Sequence, residues 1–348
     1  MGNSNLINAK RVKNDEFYTQ YETIEEELIH YKKHFEGKTV YCNCDDPRWS
    51  NFFKYFVDNF HELKLKRLIA SCYVDQSYNL FTINDKREPT VWADYNGWLV
   101  DGRAPDVSEI EVKELKGDGD FRSEESIELL KQADIVVTNP PFSLFREFVP
   151  LLMDYDKKFL VIGNCNAITY KCIFPLIKER RIWQGVKKGG SMEFSVPSYT
   201  EFYSQNAGRI DMDGNKYLSL VNACWWTNLD YEEAQKDIEL TEVYEGNEEN
   251  YPKYDNYDAI NVNKVADIPC DYSGAMGVPI TFIGYWNPEQ FEVLGITKSW
   301  DNNGLYNGQL KTKDAVVNGR KTFTRLFIQN KRLNPDIYGG EQSWPGWG

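Results

Sequence analysis

The chain has little that would anchor it in a membrane, clip it covalently or hold a metal. None of its apolar runs is long enough to span a bilayer, and the polar, basic first residues lack the pattern of a secretory leader. Histidines number only three. His30 and His34 are four apart and could share a helix face, but no further ligands stand nearby, so no metal site is expected. Seven cysteines, an odd count without framework spacing, exclude a disulfide scaffold and suit a reducing cytoplasm, where the protein is expected to work. Net positive charge is missing as well: the formal balance is -13, against the basic surface expected of a simple nucleic-acid binder. There is no internal repeat and no coiled-coil heptad.

The charge deficit is uneven. Residues 230–258 hold eleven acids and two lysines, which leaves only -4 for the rest of the chain. Two stretches are locally basic, 178–188 with Lys178, Arg180, Arg181, Lys187 and Lys188, and 320–332 with Arg320, Lys321, Arg325, Lys331 and Arg332. Either is compatible with a solvated face or with phosphate contacts, which depend on local charge. Aromatic residues make up 15 % of the chain, ample for a large core and for stacking on bases.

The stretch that organises the rest is Asp134-Ile135-Val136-Val137-Thr138-Asn139-Pro140-Pro141-Phe142. It starts as an apolar strand and stops on two prolines, neither of which has an N–H for a ladder. Such a strand would hold Asn139 and the Pro140 carbonyl at its carboxyl end, where ligands bind in open α/β sheets. That arrangement suits methylation of an exocyclic amine. The Asn139 amide oxygen and the Pro140 carbonyl can accept from both N–H groups of an aromatic amine and favour its pyramidal, nucleophilic form. Phe142 can stack on the planar base, or be a core residue beneath the strand end.

Around it, strands at 38–44, 66–74, 111–115 and 158–163 alternate with helices at 24–35, 50–60, 123–131, 143–151 and 169–180, with Ser123 and Ser143 as helix caps. This predicts an α/β fold with a doubly wound, mostly parallel sheet. Residues 77–104 look like an inserted hairpin. A glycine-rich turn is absent after the first strand, which runs instead into Cys42-Asn43-Cys44-Asp45-Asp46-Pro47. After residue 185 the alternation breaks. Residues 221–228 would complete the sheet, 230–258 form a loop or exposed flap, and short strands follow at 278–285, 291–296 and 322–328.

Four runs carry a resemblance. Asn139-Pro140-Pro141-Phe142 matches the catalytic motif of amino-methyltransferases that use S-adenosylmethionine. The longer run 139–148, with Asn14-Asp15-Glu16-Phe17-Tyr18-Thr19-Gln20, Val40-Tyr41-Cys42-Asn43-Cys44-Asp45-Asp46-Pro47 and residues 162–170, resembles the EcoRI-type family of adenine-specific DNA methyltransferases, over about residues 14–332. The resemblance implies a class I methyltransferase fold, S-adenosyl-L-methionine as cofactor, double-stranded DNA as partner and a monomeric enzyme that methylates the N6 amine of a flipped adenine. It implies Asn139, Pro140, Pro141 and Phe142 as the catalytic residues. On the cofactor side it implies Phe17, Tyr18 and Thr19 over the methionine end, and Asp45 against the ammonium in a turn with Cys42 and Asn43. It further implies Asp120 (or Asp118) for the adenine amine of the cofactor, and Phe121 against its ring; Asp75, one or two residues past the usual place, is the candidate for the acid that many nucleotide-binding folds set against the ribose after the second strand. Residues 1–229 would be the catalytic domain, with a DNA-contacting insertion at 186–215, and 230–348 the target-recognition region. Two alternatives stay open: a methyltransferase acting on an RNA base or a protein glutamine, and a non-catalytic acidic protein that keeps the fold.

Overall fold

The segment Ile135–Thr138 is buried at every residue, as a strand covered on both faces must be, and it lies in the interior of an eight-stranded sheet. In the computed structural model the described residues are 18–73, 89–188, 190–196, 198, 200, 202, 204, 207–232 and 236–333. They belong to two compact units, Met1–Glu233 and Ala234–Gly348.

In chain order the first unit contains β1 (Tyr18–Thr19), α1 (Tyr21–Leu28), β2 (Thr39–Cys42), α2 (Asn51–Asp58), β3 (Arg67–Ser71), β4 (Val91–Tyr95), β5 (Val112–Glu114) and α3 (Glu124–Gln132). It continues with β6 (Ile135–Thr138), α4 (Phe145–Asp154), β7 (Lys158–Asn164), α5 (Phe174–Lys178), β8 (Trp183–Gln184), β9 (Met192–Val196), β10 (Gly208–Ile210), β11 (Lys216–Leu220) and β12 (Ala223–Thr227). The large sheet has the order β5-β4-β3-β2-β6-β7-β12-β8. Its four middle strands, β3, β2, β6 and β7, are parallel. Trp225 and Trp226 on β12 point to opposite faces. Phe52 of α2 packs on the first at 5.9 Å and Phe145 of α4 meets the second at 6.4 Å, so helices cover both faces.

Several expectations are corrected. The sheet is mixed rather than mostly parallel, because its four outer pairings are antiparallel. Residues 91–95, read as part of an inserted hairpin, form β4; Val91, Ala93 and Tyr95 are buried in strict alternation, which places the strand in the sheet. The short strand expected at 111–115 is β5, the exposed edge beyond β4 and antiparallel to it. The helix expected at 169–180 shrinks to α5, with Pro175 in its first turn, where the missing N–H has no intrahelical partner to lose. Ser143 does not cap α4: the chain enters through a tight turn, Phe142–Leu144, closed by the Leu144 N–H on the Pro141 carbonyl at 2.9 Å. The helix expected at 24–35 is α-helical only to Leu28 and then tightens.

A second sheet of the same unit has the order β1-β9-β11-β10, so the expected insertion is a sheet edge completed by the N-terminal strand. The other unit holds a four-stranded sheet of β13 (Ile260–Asn261), β14 (Met276–Pro279), β15 (Phe291–Ile296) and β18 (Arg325–Asn330), with a hairpin of β16 (Val316–Val317) and β17 (Arg320–Lys321). The acidic segment is no exposed flap where it enters this unit: Tyr251, Tyr254 and Tyr257 are buried there, and the Tyr254 hydroxyl donates to Asn261 Oδ1 at 2.8 Å. No helix of the described residues is long and apolar enough to cross a membrane.

Candidate active site

Strand order reverses between β2 and β6: β3 lies beyond the first and β7 beyond the second. In an open α/β sheet that reversal opens a crevice at the carboxyl ends of the strands. Two sequence stretches meet there, the turn after Cys42 and the Asn139–Phe142 motif. They are joined directly, since Thr138 Oγ1 donates to Asp45 Oδ2 at 2.5 Å. Ser50, the cap of α2, donates its hydroxyl to Asp45 Oδ1 at 2.8 Å, and the Asp45 N–H reaches the Ser71 carbonyl on β3 at 3.0 Å. Burial pushes the Asp45 carboxyl up to about 6, against the bonds from Thr138 and Ser50 that hold it down. Neighbouring Asp46 is taken up by Arg48, whose Nε and Nη2 grip it at 2.8 and 2.5 Å.

Some polar atoms at this edge are left wanting. Asn43 is 3 % exposed, and its Oδ1 accepts no hydrogen bond. The Thr19 hydroxyl is equally buried and unbonded, while its carbonyl accepts from Asn51 Nδ2 at 2.8 Å, which ties β1 to the start of α2. Such atoms cost free energy unless something binds them. Asn139 is half-buried at the end of β6, Pro140 is buried, Pro141 is half-buried and Phe142 is buried in the turn that follows. Cys42 is wholly buried in β2, so its thiol belongs to the core; burial pushes that thiol and the Cys44 thiol up.

The third contribution comes from residues 117–121. Gly119 has φ +76°, and a Cβ there would stand 1.9 Å from the Cys72 carbonyl. Only glycine lets this loop come so close to the end of β3. Asp118 Oδ1 accepts the Asp120 N–H at 3.0 Å. The Asp120 carboxylate is gripped by Arg122 through Nε at 2.9 Å and Nη2 at 2.6 Å, and this pair holds it below the usual carboxylate range. Arg122 also bonds Glu147 of α4. Phe121 is buried edge-on against Phe148, 5.1 Å between centroids.

The structure thus brings together Thr19, Asn43, Asp45 and Asn139 through bonded neighbours, and sets Asp118, Asp120 and Phe121 on the loop against β3. Tyr18 is partly exposed on β1. Phe17 and Asp75 lie outside the described residues. Sequence reasoning missed Thr138 and Ser50 as holders of Asp45; their positions, last in a strand and first before a helix, were the available signal. It also missed Glu27, 1 % exposed, which accepts the N–H groups of Val186 at 2.7 Å and Lys187 at 3.0 Å and the Tyr31 hydroxyl at 3.0 Å. Burial raises its carboxyl pKa, against those N–H bonds. Nothing in the sequence sets this acid apart from its neighbours on α1.

Comparison with known proteins gives a consistent result. Residues 5–331 match the family described as "Adenine-specific methyltransferase EcoRI". The chain is 53 % identical over 332 residues to the type II methyltransferase M.EcoRI of Escherichia coli, which covers 95 % of this chain and 98 % of that one. It is 42 % identical over 334 residues to the type II methyltransferase M.MpnI of Mycoplasma pneumoniae, covering 93 % and 97 %. To M.MgeORF184P of Mycoplasma genitalium it is 39 % identical over 335 residues, covering 93 % and 98 %. No solved structure matches.

Proposed function

From the premise that the chain belongs to the family of adenine-specific EcoRI methyltransferases, we propose that it methylates the N6 amine of adenine in a specific double-stranded DNA site, with S-adenosylmethionine as donor. The observation that carries this reading is the position of Asn139 to Phe142, which end the interior strand β6 at the reversal of strand order, bonded through Thr138 to the acid of the opposite turn.

When bound, the cofactor supplies an electrophilic methyl group. The fit rests on buried polar atoms at the carboxyl edge: Asn43 Oδ1 and Thr19 Oγ1 lack partners, and Gly119 lets the loop of residues 117–121 pack against the end of β3 beside them. Asp45 is assigned to the cofactor's ammonium, whose positive charge favours the ionised carboxyl. Asp118 and Asp120 are the acids for the adenine amine of the cofactor, with Phe121 as the apolar wall. Phe17 and Tyr18 keep the roles that the resemblance implies, and Asp75 that of the ribose acid.

The Asn139 amide oxygen and the Pro140 carbonyl accept the two N–H groups of the target amine and so favour its nucleophilic, pyramidal form, an interaction stronger in the transition state than in the ground state. Pro141 fixes the turn, and Phe142 stacks on the base. A paired and stacked adenine cannot offer both hydrogens, so the base must swing out of the helix, at a cost of a few kcal/mol. Residues 1–229 act as the catalytic domain, 186–215 as a DNA-contacting insertion and 230–348 as the target-recognition region, in a monomer working in the cytoplasm.

The test is transfer of tritiated methyl from S-adenosylmethionine to unmethylated duplex DNA, followed by hydrolysis to nucleosides. Label in N6-methyl-2′-deoxyadenosine is the expected result. Label only in RNA or protein, or none, would reject the reading.

A further inference from the structure

Phe323 is 88 % exposed. A lone exposed aromatic is ordinary on a loop free to fold it away. Here the chain on both sides is held. The β16–β17 hairpin turns on Asn318 and Gly319, both at positive φ, 50° and 73°, the backbone that an Asn-Gly pair supports. The Asp255 carboxylate accepts the N–H groups of both turn residues, at 3.1 and 2.7 Å, and Asn256 Oδ1 accepts that of Val316 at 3.1 Å. Just after the hairpin, the Thr322 N–H donates to the Ala315 carbonyl at 2.8 Å. Two residues past Phe323, the Arg325 N–H donates to Thr297 Oγ1 at 2.9 Å, where β18 begins. Phe323 and Thr324 are therefore a short arc pinned at both ends, and the ring stands in solvent on a fixed base.

The chain around the ring is rich in cations. Residues 311–325 carry five lysines and arginines, of which Arg325 is buried, and one acid, with the Asp255 carboxylate on the hairpin turn, in a chain whose net charge is -13. Lys321 pairs with that acid, Asp314, at 2.9 Å, while Lys311 and Arg320 are exposed. Met212 makes the contrast. It too is fully exposed, at the tip of the β10–β11 hairpin, but it stands between Asp211 and Asp213, and nearby Arg209 is tied to Glu193 at 2.6 Å. At Met212 the exposed apolar group stands between two carboxylates, whereas Phe323 follows directly on Arg320, Lys321 and Thr322.

We propose that Phe323 is a wedge for duplex DNA: its ring inserts between neighbouring base pairs while Lys311 and Arg320 lie on the phosphates. The inference rests on the DNA reading above and deepens it by naming the residue that deforms the duplex. Apolar side chains inserted at a base step unstack it and kink the helix, and the bent DNA then covers more protein surface. The basic residues contribute the sequence-independent part of binding, through counterion release.

The experiment first maps the positions that the wild-type chain methylates in unmethylated phage DNA. A duplex containing one such position is then the probe. Affinity is measured across salt concentrations, bending by energy transfer between the duplex ends, and stability by thermal unfolding, for wild type, Phe323→Ala, Phe323→Trp and Arg320→Ala. Phe323→Ala should bind about tenfold more weakly or worse, as loss of a base–aromatic stack does. It should bend the duplex less, keep the wild-type salt slope and unfold at the wild-type temperature. Phe323→Trp should bind and bend like wild type. Arg320→Ala should lower the salt slope by about 0.9 and leave the bend in place. Wild-type affinity and bending in Phe323→Ala, while the wild-type chain methylates DNA, would overturn the wedge and leave the DNA reading standing. A wild-type chain that neither binds nor methylates duplex DNA would overturn both. A lowered unfolding temperature in Phe323→Ala, or a dimer that it dissociates at unchanged DNA affinity, would show that the ring packs against protein instead.

Discussion

At the amino ends of β2, β6 and β7 lies a cavity of about 430 Å³ lined by residues that include His34, Lys38, Asp134, Lys157 and Asp230. At the carboxyl ends of β2 and β6 stand Asn43, Asp45 and Asn139. Both places are polar, but they treat polar groups differently. At the amino ends the groups satisfy one another. Lys157 Nζ donates to the carbonyls of Lys131 and Ala133 at 3.1 and 2.7 Å, Asp134 Oδ2 accepts the Thr39 N–H at 2.8 Å, and His34 Nε2 lies 2.7 Å from the Asp230 carbonyl. At the carboxyl ends, Asn43 Oδ1 and the nearby Thr19 Oγ1 are buried with no hydrogen bond. A buried polar atom left so costs roughly 1–3 kcal/mol. The unmet groups at the carboxyl ends, against the bonded Lys157, Asp134 and His34 of the hollow, support reading the carboxyl ends as the site.

The strongest way to break that contrast is Asn139→Ala. Single-turnover methylation should fall by roughly 100-fold or more, the usual loss when a transition-state hydrogen-bond partner is removed, with cofactor affinity near wild type. A near-normal rate would leave the carboxyl ends with no special claim.

Next come the two acids of the glycine loop. Asp120→Ala should weaken S-adenosylmethionine binding by roughly 1–3 kcal/mol if Asp120 takes the adenine amine. Its carboxylate is already gripped by Arg122, so Asp118→Ala is the sharper comparison. Calorimetry on both variants assigns the role to whichever loses affinity, and to neither if both bind normally.

A smaller effect follows from Asp45, whose carboxyl is pushed up to about 6. Between about pH 4 and 6 the folded chain keeps a proton that the unfolded chain has released, so ionisation of Asp45 weakens the fold as pH rises through that window. A bound cation reverses the preference. Cofactor affinity should therefore climb with pH up to about 6, by at most about tenfold per unit, and level off above it. Titration calorimetry from pH 5 to 8 should show the climb in wild type and its loss in Asp45→Asn. A flat wild-type profile would remove Asp45 from the ammonium.

Least should happen at the other end of the sheet. Lys38→Ala, in the lining of the amino-end cavity, should change stability and cofactor binding by no more than about 0.5 kcal/mol. A rate loss comparable to that of Asn139→Ala would make the hollow a working site after all.

How much of this was legible beforehand follows from how local each signal is. The run Ile135 to Thr138 before two prolines is a strand and a stop in one stretch, and it was found. Asp45 was singled out by its position after the first strand, in place of the missing glycine turn, but its bonds to Thr138 and Ser50 were not legible there. Strand β4 was missed because Trp92 and Tyr95 looked like members of an aromatic cluster, which hid the alternation of Val91, Ala93 and Tyr95. The grip of Arg122 on Asp120 was two residues away but has no periodic signature. The pairing of β1 with β9 and the bonds from Val186 and Lys187 to Glu27 join segments more than 150 positions apart, and no window of sequence contains both partners.

That last pairing has a consequence for how the chain is made. Tyr18 and Thr19 leave the ribosome early, yet their partners Ser195 and Phe194 follow roughly 180 residues later. At about 5–20 residues per second, the first strand waits for about 10–35 s of synthesis before its neighbour exists. Glu27 waits almost as long for the two backbone N–H groups that offset part of the cost of burying it. During that interval the start of the chain carries an unpaired strand and an acid without its native partners, so the segment assigned to the methionine end of the cofactor is set in place only after residues 186–196 have emerged.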